Sequence, residues 1–219
     1  MSDAPGIDFF DLDHTLLAGS SAVRFLLAGI RRGVFPAVAA LFVPVFYVRY
    51  HLGLIRPDAH TWSFSVLKGK SRGVLEELAR EGFRSLRGRI YPEARALIAA
   101  RHAEGRKVVL ATSSIHTAVS PLAEELGIDE IIASTLEFEG DRCTGRFREP
   151  PLLDKRKKLR VLEYLRQRNV SPAACSFYTD SISDLPLLEA VGKPVAVNPD
   201  PRLRRVAKAR GWPVLRFGL

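Results

Sequence analysis

Short apolar runs alternate with helical patterns through the second half of the sequence. The apolar runs lie at residues 107–112, 131–133, 176–179 and 194–197. Because parallel strands need a connection as long as a helix, strands that alternate with helices pair in parallel. A further apolar run, Ile7 to Phe10, comes before Asp11 near the start of the chain. The pattern predicts an α/β protein built on a doubly wound parallel sheet.

The segments between and after these runs complete the predicted core. Helices are expected at residues 92–104, 115–126, 155–168, 185–190 and 201–210. Residues 135–148 contain Gly140 and Gly145 and favour a β-hairpin. The last apolar run, at 213–217, fits an edge strand.

Residues 20–88 interrupt the alternation with an almost continuous helical pattern. Ser20 and Ser71 suit the N-cap position of helices, and Pro57 suits a first helical turn. We therefore expect two units, an α/β core formed by residues 1–19 and 89–219 and a helical cap formed by residues 20–88.

Val34 to Val48 is an uncharged run flanked by arginines. It is shorter than the roughly 20 apolar residues of a membrane-spanning helix, and it contains Pro36 and Pro44. Two interpretations stay open. The run packs inside the protein or against a second copy, or residues 34–55 make peripheral contact with an anionic membrane.

The formal net charge of +9 favours anionic partners. The basic residues are dispersed and lack interleaved aromatic residues, so no nucleic-acid partner is expected. Cys143 and Cys175 form neither a disulfide pattern nor a zinc motif, and the first residues lack a secretion signal. A cytoplasmic protein is expected, whereas the oligomeric state is left open.

Asp11 and Asp13 follow the first predicted strand and are two residues apart. Two neighbouring carboxylates repel each other unless a cation or a proton is present, and Mg²⁺ typically takes one or two carboxylates together with phosphate oxygens. The alternative is an ordinary strand end, where an acid caps the following turn.

Polar groups also stand where the second predicted strand ends and where a later helix begins. Thr112 and Ser113 offer hydroxyls and helix N-terminal amides that can bind phosphate, or they simply cap the helix. Lys155 stands at a helix start, where a cation is unfavourable unless an anion is near. It could equally belong to a solvated basic face.

Asp180 and Asp184 follow the strand at 176–179. At a strand end Asp180 can complete a metal site, and Asp184 can orient Asp180, Lys155 or a metal-bound water. Capping of the next helix is the alternative for Asp184.

The order of these four motifs resembles the haloacid dehalogenase superfamily, in particular its phosphoserine-phosphatase-like branch. The first motif, DxDx[TV], stands as Asp11 to Thr15, the second as a strand ending at Thr112, and the fourth as Asp180 to Asp184. The third, a lysine ahead of a helix, is best matched by Lys155, with Lys157 and Lys158 as less favoured alternatives.

The resemblance implies a Rossmann-like core with a helical cap inserted after the first motif, and it assigns roles. Asp11 is then the nucleophile and Asp13 the general acid and base. Asp11, Asp13 and Asp180 are expected to bind Mg²⁺, and Thr112, Ser113 and Lys155 to bind phosphate. Two features depart from the family. Thr179 replaces a common glycine, and residues 16–21 lack the glutamate that phosphoserine-specific members carry.

The sequence therefore predicts a magnesium-dependent phosphatase that hydrolyses a small phosphate monoester through a phospho-aspartate on Asp11. A phosphotransferase that uses the same intermediate is one alternative. A basic protein that binds a membrane surface or nucleic acid is the other.

Overall fold

Six parallel strands form the central sheet of the computed structural model, which describes residues 6–40, 65–153 and 155–219. Its strands are β1 (Ile7–Phe10), β2 (Lys107–Ile115), β3 (Glu130–Ser134), β6 (Ser176–Thr179), β7 (Lys193–Val197) and β8 (Val214–Leu215). Their order is β3-β2-β1-β6-β7-β8. A separate hairpin consists of β4 (Leu136–Glu139) and β5 (Arg142–Phe147). The predicted doubly wound sheet is confirmed.

The described residues form seven α-helices, and those that follow a strand supply the parallel crossovers. They are α1 (Ser21–Arg31), α2 (Arg72–Arg84), α3 (Pro92–Ala103), α4 (His116–Leu126), α5 (Lys155–Gln167), α6 (Leu185–Leu188) and α7 (Pro201–Arg210). Ser20 and Ser71 are N-caps, as predicted, since their hydroxyls accept the Val23 and Val74 amides. The predicted end of β2 at Thr112 is wrong, because the strand continues to Ile115 with irregular pairing to β3.

Both faces of the sheet are buried, as expected for parallel strands covered by helices. On one face Phe9 and Phe177 pack with residues of α5 and α7. On the other face Phe10 stacks on Tyr178 with ring centroids 4.3 Å apart, among residues of α3 and α4. This double burial leaves the carboxyl ends of the strands as the place where polar groups gather.

The chain enters and leaves the 20–88 segment through two adjacent extended stretches. The amide of Ala18 donates to the Arg89 carbonyl at 2.8 Å, and the amide of Tyr91 donates to the Leu16 carbonyl at 3.1 Å. These bonds lie close to the predicted boundaries at residues 19 and 89. The division into a core and a cap stays a prediction.

Helices α1 and α2 share an apolar cluster with the core. Phe25 of α1 and Leu75 and Leu78 of α2 pack with Ile115, the last residue of β2, and Ala118 of α4. Residues of the β4–β5 hairpin, Leu136 and Cys143, belong to the same cluster. The described part of the insertion therefore packs on the α/β unit over a continuous apolar surface.

The uncharged run is described only as far as residue 40. Phe35 is buried against Gly29 of α1, where a Cβ atom would lie 2.0 Å from the Phe35 ring. The rest of the 34–55 segment and Pro57 lie outside the described residues, so the predicted membrane contact is not tested. Across the three described ranges, no helix has the length and apolar character needed to cross a membrane.

A buried ion pair secures the start of the central strand. Asp8 of β1 is fully buried, and its carboxylate accepts hydrogen bonds from Nε and Nη2 of Arg106. The same guanidinium donates to the Ala174 carbonyl at 3.3 Å, just before β6. Arg106 therefore links the starts of three neighbouring strands, β1, β2 and β6.

We expect Arg106→Met to lower the free energy of unfolding by about 3–5 kcal/mol, because it leaves the Asp8 carboxylate buried without its partner. Urea unfolding of the purified protein measures this loss. The matched control is the double variant Asp8→Val/Arg106→Met, which removes both charges and should recover most of the stability. A double variant as unstable as the single one would contradict this account.

Candidate active site

The carboxyl ends of β1 and β6 bring two acidic residues together. The Asp11 amide donates to the Tyr178 carbonyl at 2.8 Å, so the first residue after β1 lies beside the end of β6. Thr15 connects the two loops, since its hydroxyl donates to Asp180 Oδ1 at 3.2 Å and accepts the Asp180 amide at 3.0 Å. The structure therefore joins the first and fourth sequence motifs through direct hydrogen bonds.

The cation at this site is Lys157 and not Lys155. Nζ of Lys157 lies 2.9 Å from Asp11 Oδ1 and 2.8 Å from Asp184 Oδ1, and the side chain is 4% exposed. Lys155 is exposed at the first turn of α5. The prediction of Lys155 is wrong because two further residues turn the helix by about half a revolution, which brings Lys157 onto its inner face.

Asp184 holds the lysine in turn. Its Oδ2 accepts a hydrogen bond from Lys157 at 2.9 Å and one from the Thr179 hydroxyl at 2.7 Å. Thr179, which stands where the family commonly has glycine, is fully buried and thus orients the acid through its side chain. Asp184 was predicted to orient Asp180, Lys155 or a metal-bound water. In the structure its carboxylate binds Lys157 instead.

Burial and mutual repulsion perturb the acids of the site. Burial is the main cause that raises the pKa of Asp11 to about 7, and the Asp184 charge adds to it while Lys157 opposes it. Burial, followed by the Asp11 charge, raises the pKa of Asp180 to about 8. Burial alone would favour a neutral amine at Lys157, but the Asp11 and Asp184 charges together raise its pKa, so it stays cationic.

The Asp13 carboxylate points toward the helical insertion. Its Oδ1 accepts the Ser21 amide at 2.8 Å, at the first residue of α1, and its Oδ2 accepts the Ser21 hydroxyl at 3.2 Å. Ser114 of β2 lies 2.9 Å from the Ser21 hydroxyl and 3.5 Å from Asp13. Burial raises the pKa of Asp13, and the Ser21 bonds oppose that rise. This acid therefore depends on both the insertion and the core.

Thr112 and Ser113 lie in the irregular end of β2. Thr112 is buried, and its hydroxyl accepts the Ser114 amide at 3.2 Å. The Ser113 hydroxyl donates to the Leu152 carbonyl at 2.7 Å, so it supports the segment before α5. Phe10 pairs with Leu110, which puts the end of β2 beside Asp11. Their predicted phosphate-binding roles stay predictions.

The donor chemistry of the site suits a hard divalent cation. Asp11 and Asp180 present carboxylate oxygens, and Mg²⁺ commonly uses one or two carboxylates together with substrate oxygens and water. The described ranges contain no group of three or more acidic, histidine or cysteine side chains arranged to hold a metal. Asp13 directs its carboxylate to Ser21, and the predicted metal-binding roles of Asp11, Asp13 and Asp180 stay predictions.

The roles of Ser21 and Ser114 were missed from the sequence, and Lys157 was given only as a less favoured alternative to Lys155. Lys157 had a usable signal, since it shares the buried face of α5 with Val161, Tyr164 and Leu165, and a lysine within such a stripe needs a buried partner. Ser21 and Ser114 had none, because their bonds to Asp13 join distant elements.

Known proteins match this chain over most of its length. The family model of haloacid dehalogenase-like hydrolases matches residues 9–189. A histidinol-phosphatase of Neisseria meningitidis serogroup C is 34% identical over 215 residues, which cover 95% of this chain and 97% of that protein.

Solved structures share the fold. A protein with unknown function from Bordetella pertussis Tohama I has a TM-score of 0.87 and 32% identity, over 97% of this chain and 98% of that chain. A probable phosphoserine phosphatase from Vibrio cholerae has a TM-score of 0.71 and 23% identity, over 98% of this chain and 61% of that chain. Because the family model spans most of the chain, the protein belongs to the haloacid dehalogenase-like hydrolases and is an enzyme of their phosphatase group, as the motifs predicted.

Proposed function

We propose that this chain is a magnesium-dependent phosphatase that hydrolyses a small phosphate monoester through a phospho-aspartate on Asp11. The observation that carries the proposal is the contact between Lys157 and Asp11, 2.9 Å long and almost fully buried. A buried lysine fixed beside an acid at the end of a central strand holds one carboxylate oxygen still. The other oxygen is then available to attack phosphorus.

The first half of the reaction transfers the phosphoryl group. Asp11 forms a bond to phosphorus as the bond between phosphorus and the ester oxygen breaks, and protonated Asp13 gives its proton to the departing oxygen. The raised pKa of Asp13 favours that protonated form. Asp11 attacks as its carboxylate, the form that the neighbouring Lys157 charge favours, and this form needs no separate base.

The second half returns Asp11 to its starting state. Asp13, now a carboxylate, takes a proton from a water molecule that attacks phosphorus, and the bond from phosphorus to Asp11 breaks to release inorganic phosphate. Lys157 stays charged throughout, because two acids share its ammonium group. It thereby offsets the negative charge of the phosphoryl group next to Asp11.

The Asp11 and Asp180 carboxylates would hold the cation. When bound, Mg²⁺ would supply positive charge next to the phosphate oxygens, which the four acids and one lysine of the site do not provide by themselves. Thr15 supports this assignment, since it fixes the Asp180 carboxylate through a hydrogen bond.

Histidinol phosphate is the first ester to test, because a relative named histidinol-phosphatase is 34% identical across nearly its whole length. Residues 16–21 contain no acid to hold the amine of phosphoserine, so we place that ester lower.

Asp11→Asn is expected to lower magnesium-dependent phosphate release at least about 1,000-fold, because an amide oxygen is a poor nucleophile. Release from p-nitrophenyl phosphate and histidinol phosphate measures this, and a circular dichroism spectrum equal to that of the wild type is the control for folding. Residual activity within tenfold of the wild type would contradict the assignment of Asp11.

Products formed with added alcohols separate a phosphatase from a phosphotransferase, since transfer yields a new phosphate ester.

Lys157→Met is expected to lower kcat/KM about 100- to 1,000-fold. The variant removes the positive charge that lies next to Asp11 and that would stabilise the transferred phosphoryl group. Lys155→Met is the matched control, since it deletes an equal charge two residues away on the exposed face of α5. Its kcat/KM should stay within about twofold of the wild type. The opposite ranking of the two variants would return the role to Lys155.

Chelation of divalent cations with EDTA is expected to abolish phosphate release, and excess Mg²⁺ should restore it. Asp180→Asn should raise the Mg²⁺ concentration needed for half-maximal rate about tenfold or more, because one charged oxygen ligand is lost. Full activity after exhaustive chelation would rule out the proposed cofactor.

A further inference from the structure

Asp200 joins the loop after β6 to the helix that follows β7. Its amide donates to the Asp180 carbonyl at 2.8 Å. Its carboxylate Oδ2 accepts the Ile182 amide at 2.7 Å. Asp200 therefore binds the loop at the residue that begins it and again two residues further on.

The second carboxylate oxygen has a different task. Oδ1 of Asp200 accepts the amides of Arg202 and Leu203 at 2.8 and 2.9 Å, which caps the N-terminus of α7. Capping of α7 uses this oxygen alone. The bond to Ile182 has no part in capping α7. It connects Asp200 to a loop that lies 18 residues earlier in the chain.

The sequence holds Asp200 in a restricted conformation, since Pro199 precedes it and Pro201 follows it. A residue before proline is confined to extended backbone, and Asp200 has φ −57° and ψ 162°. Because this restriction also operates in the unfolded chain, little conformational entropy is lost when Asp200 takes up its place.

We propose that Asp200 is a positioning residue for the loop at 180–184, which carries Asp180 and Asp184. This inference rests on the proposed function. Asp200 does not touch the reacting atoms and acts through the backbone of the loop. The loop has a second support on its other side, where Thr15 binds the amide and the carboxylate of Asp180. Asp180 is thus held between Thr15 and Asp200, while Ile182 is held by Asp200.

Asp200→Ser separates the two tasks of the carboxylate. Serine is a good N-cap, so α7 keeps its cap, and the backbone bond to Asp180 is unaffected. The bond to Ile182 is lost, because serine has one short hydroxyl. Asp200→Ala removes both side-chain tasks. Ser71→Ala is the matched control, since it deletes the N-cap of α2, which binds the Val74 amide.

Three measurements on the full chain test the proposal. Hydrogen exchange at the Ile182 amide should be at least about tenfold faster in Asp200→Ser, while the Arg202 and Leu203 amides stay protected. The dissociation constant for Mg²⁺, measured by calorimetry without substrate, should rise about tenfold. The kcat/KM for p-nitrophenyl phosphate should fall in parallel. Ser71→Ala should lower the melting temperature and leave all three quantities unchanged.

Wild-type exchange at Ile182 in Asp200→Ser would overturn the proposal. Fast exchange with unchanged Mg²⁺ binding and unchanged kcat/KM would also overturn it, because the loop would then be anchored without any effect on the site. If the wild type neither binds Mg²⁺ nor releases phosphate, the proposed function is wrong, whatever the Asp200 variants show. The exchange at Ile182 then still decides whether Asp200 holds the loop.

Discussion

The site depends on one buried ammonium group. Removing a lysine from water costs several kcal/mol, and the cost is offset only if anions meet the charge at close range. Asp11 and Asp184 do so at 2.9 and 2.8 Å, and each follows a strand of the same sheet. Any arrangement that buries Lys157 without these two carboxylates would leave its charge buried and unpaired. The contact therefore restricts how α5 and the two strand ends can be arranged.

Hydroxyl groups of β2 and β3 hold the segment that precedes α5. Leu152 precedes the helix, and its carbonyl accepts the Ser113 hydroxyl at 2.7 Å. The Leu152 amide donates to the Ser134 hydroxyl at 3.0 Å, and that hydroxyl donates to the Ser113 carbonyl at 3.1 Å. β2 and β3 thereby hold the segment that leads into α5, the helix whose Lys157 faces Asp11.

The sequence could predict the sheet and the acids of the site because both follow from local patterns. Apolar runs separated by helices specify a parallel sheet, and acids directly after such runs must gather at one edge. The choice among Lys155, Lys157 and Lys158 needed the rotation of α5. The apolar stripe of Val161, Tyr164 and Leu165 indicates that rotation, whereas the rule about helix starts favoured Lys155.

The contacts that remained invisible are those between elements distant in the chain. Ser21 binds Asp13 across the boundary of the insertion, whereas Asp11, Lys157 and Asp184 all belong to the α/β unit. The proposed proton donor is therefore the acid whose orientation depends on α1. The paired stretches at 16–18 and 89–91 lie just before α1 in the chain, and the Ser21 amide at the start of α1 donates to Asp13. The proposed proton donor is in this way bound to the insertion, while the proposed nucleophile and its lysine are held by the α/β unit.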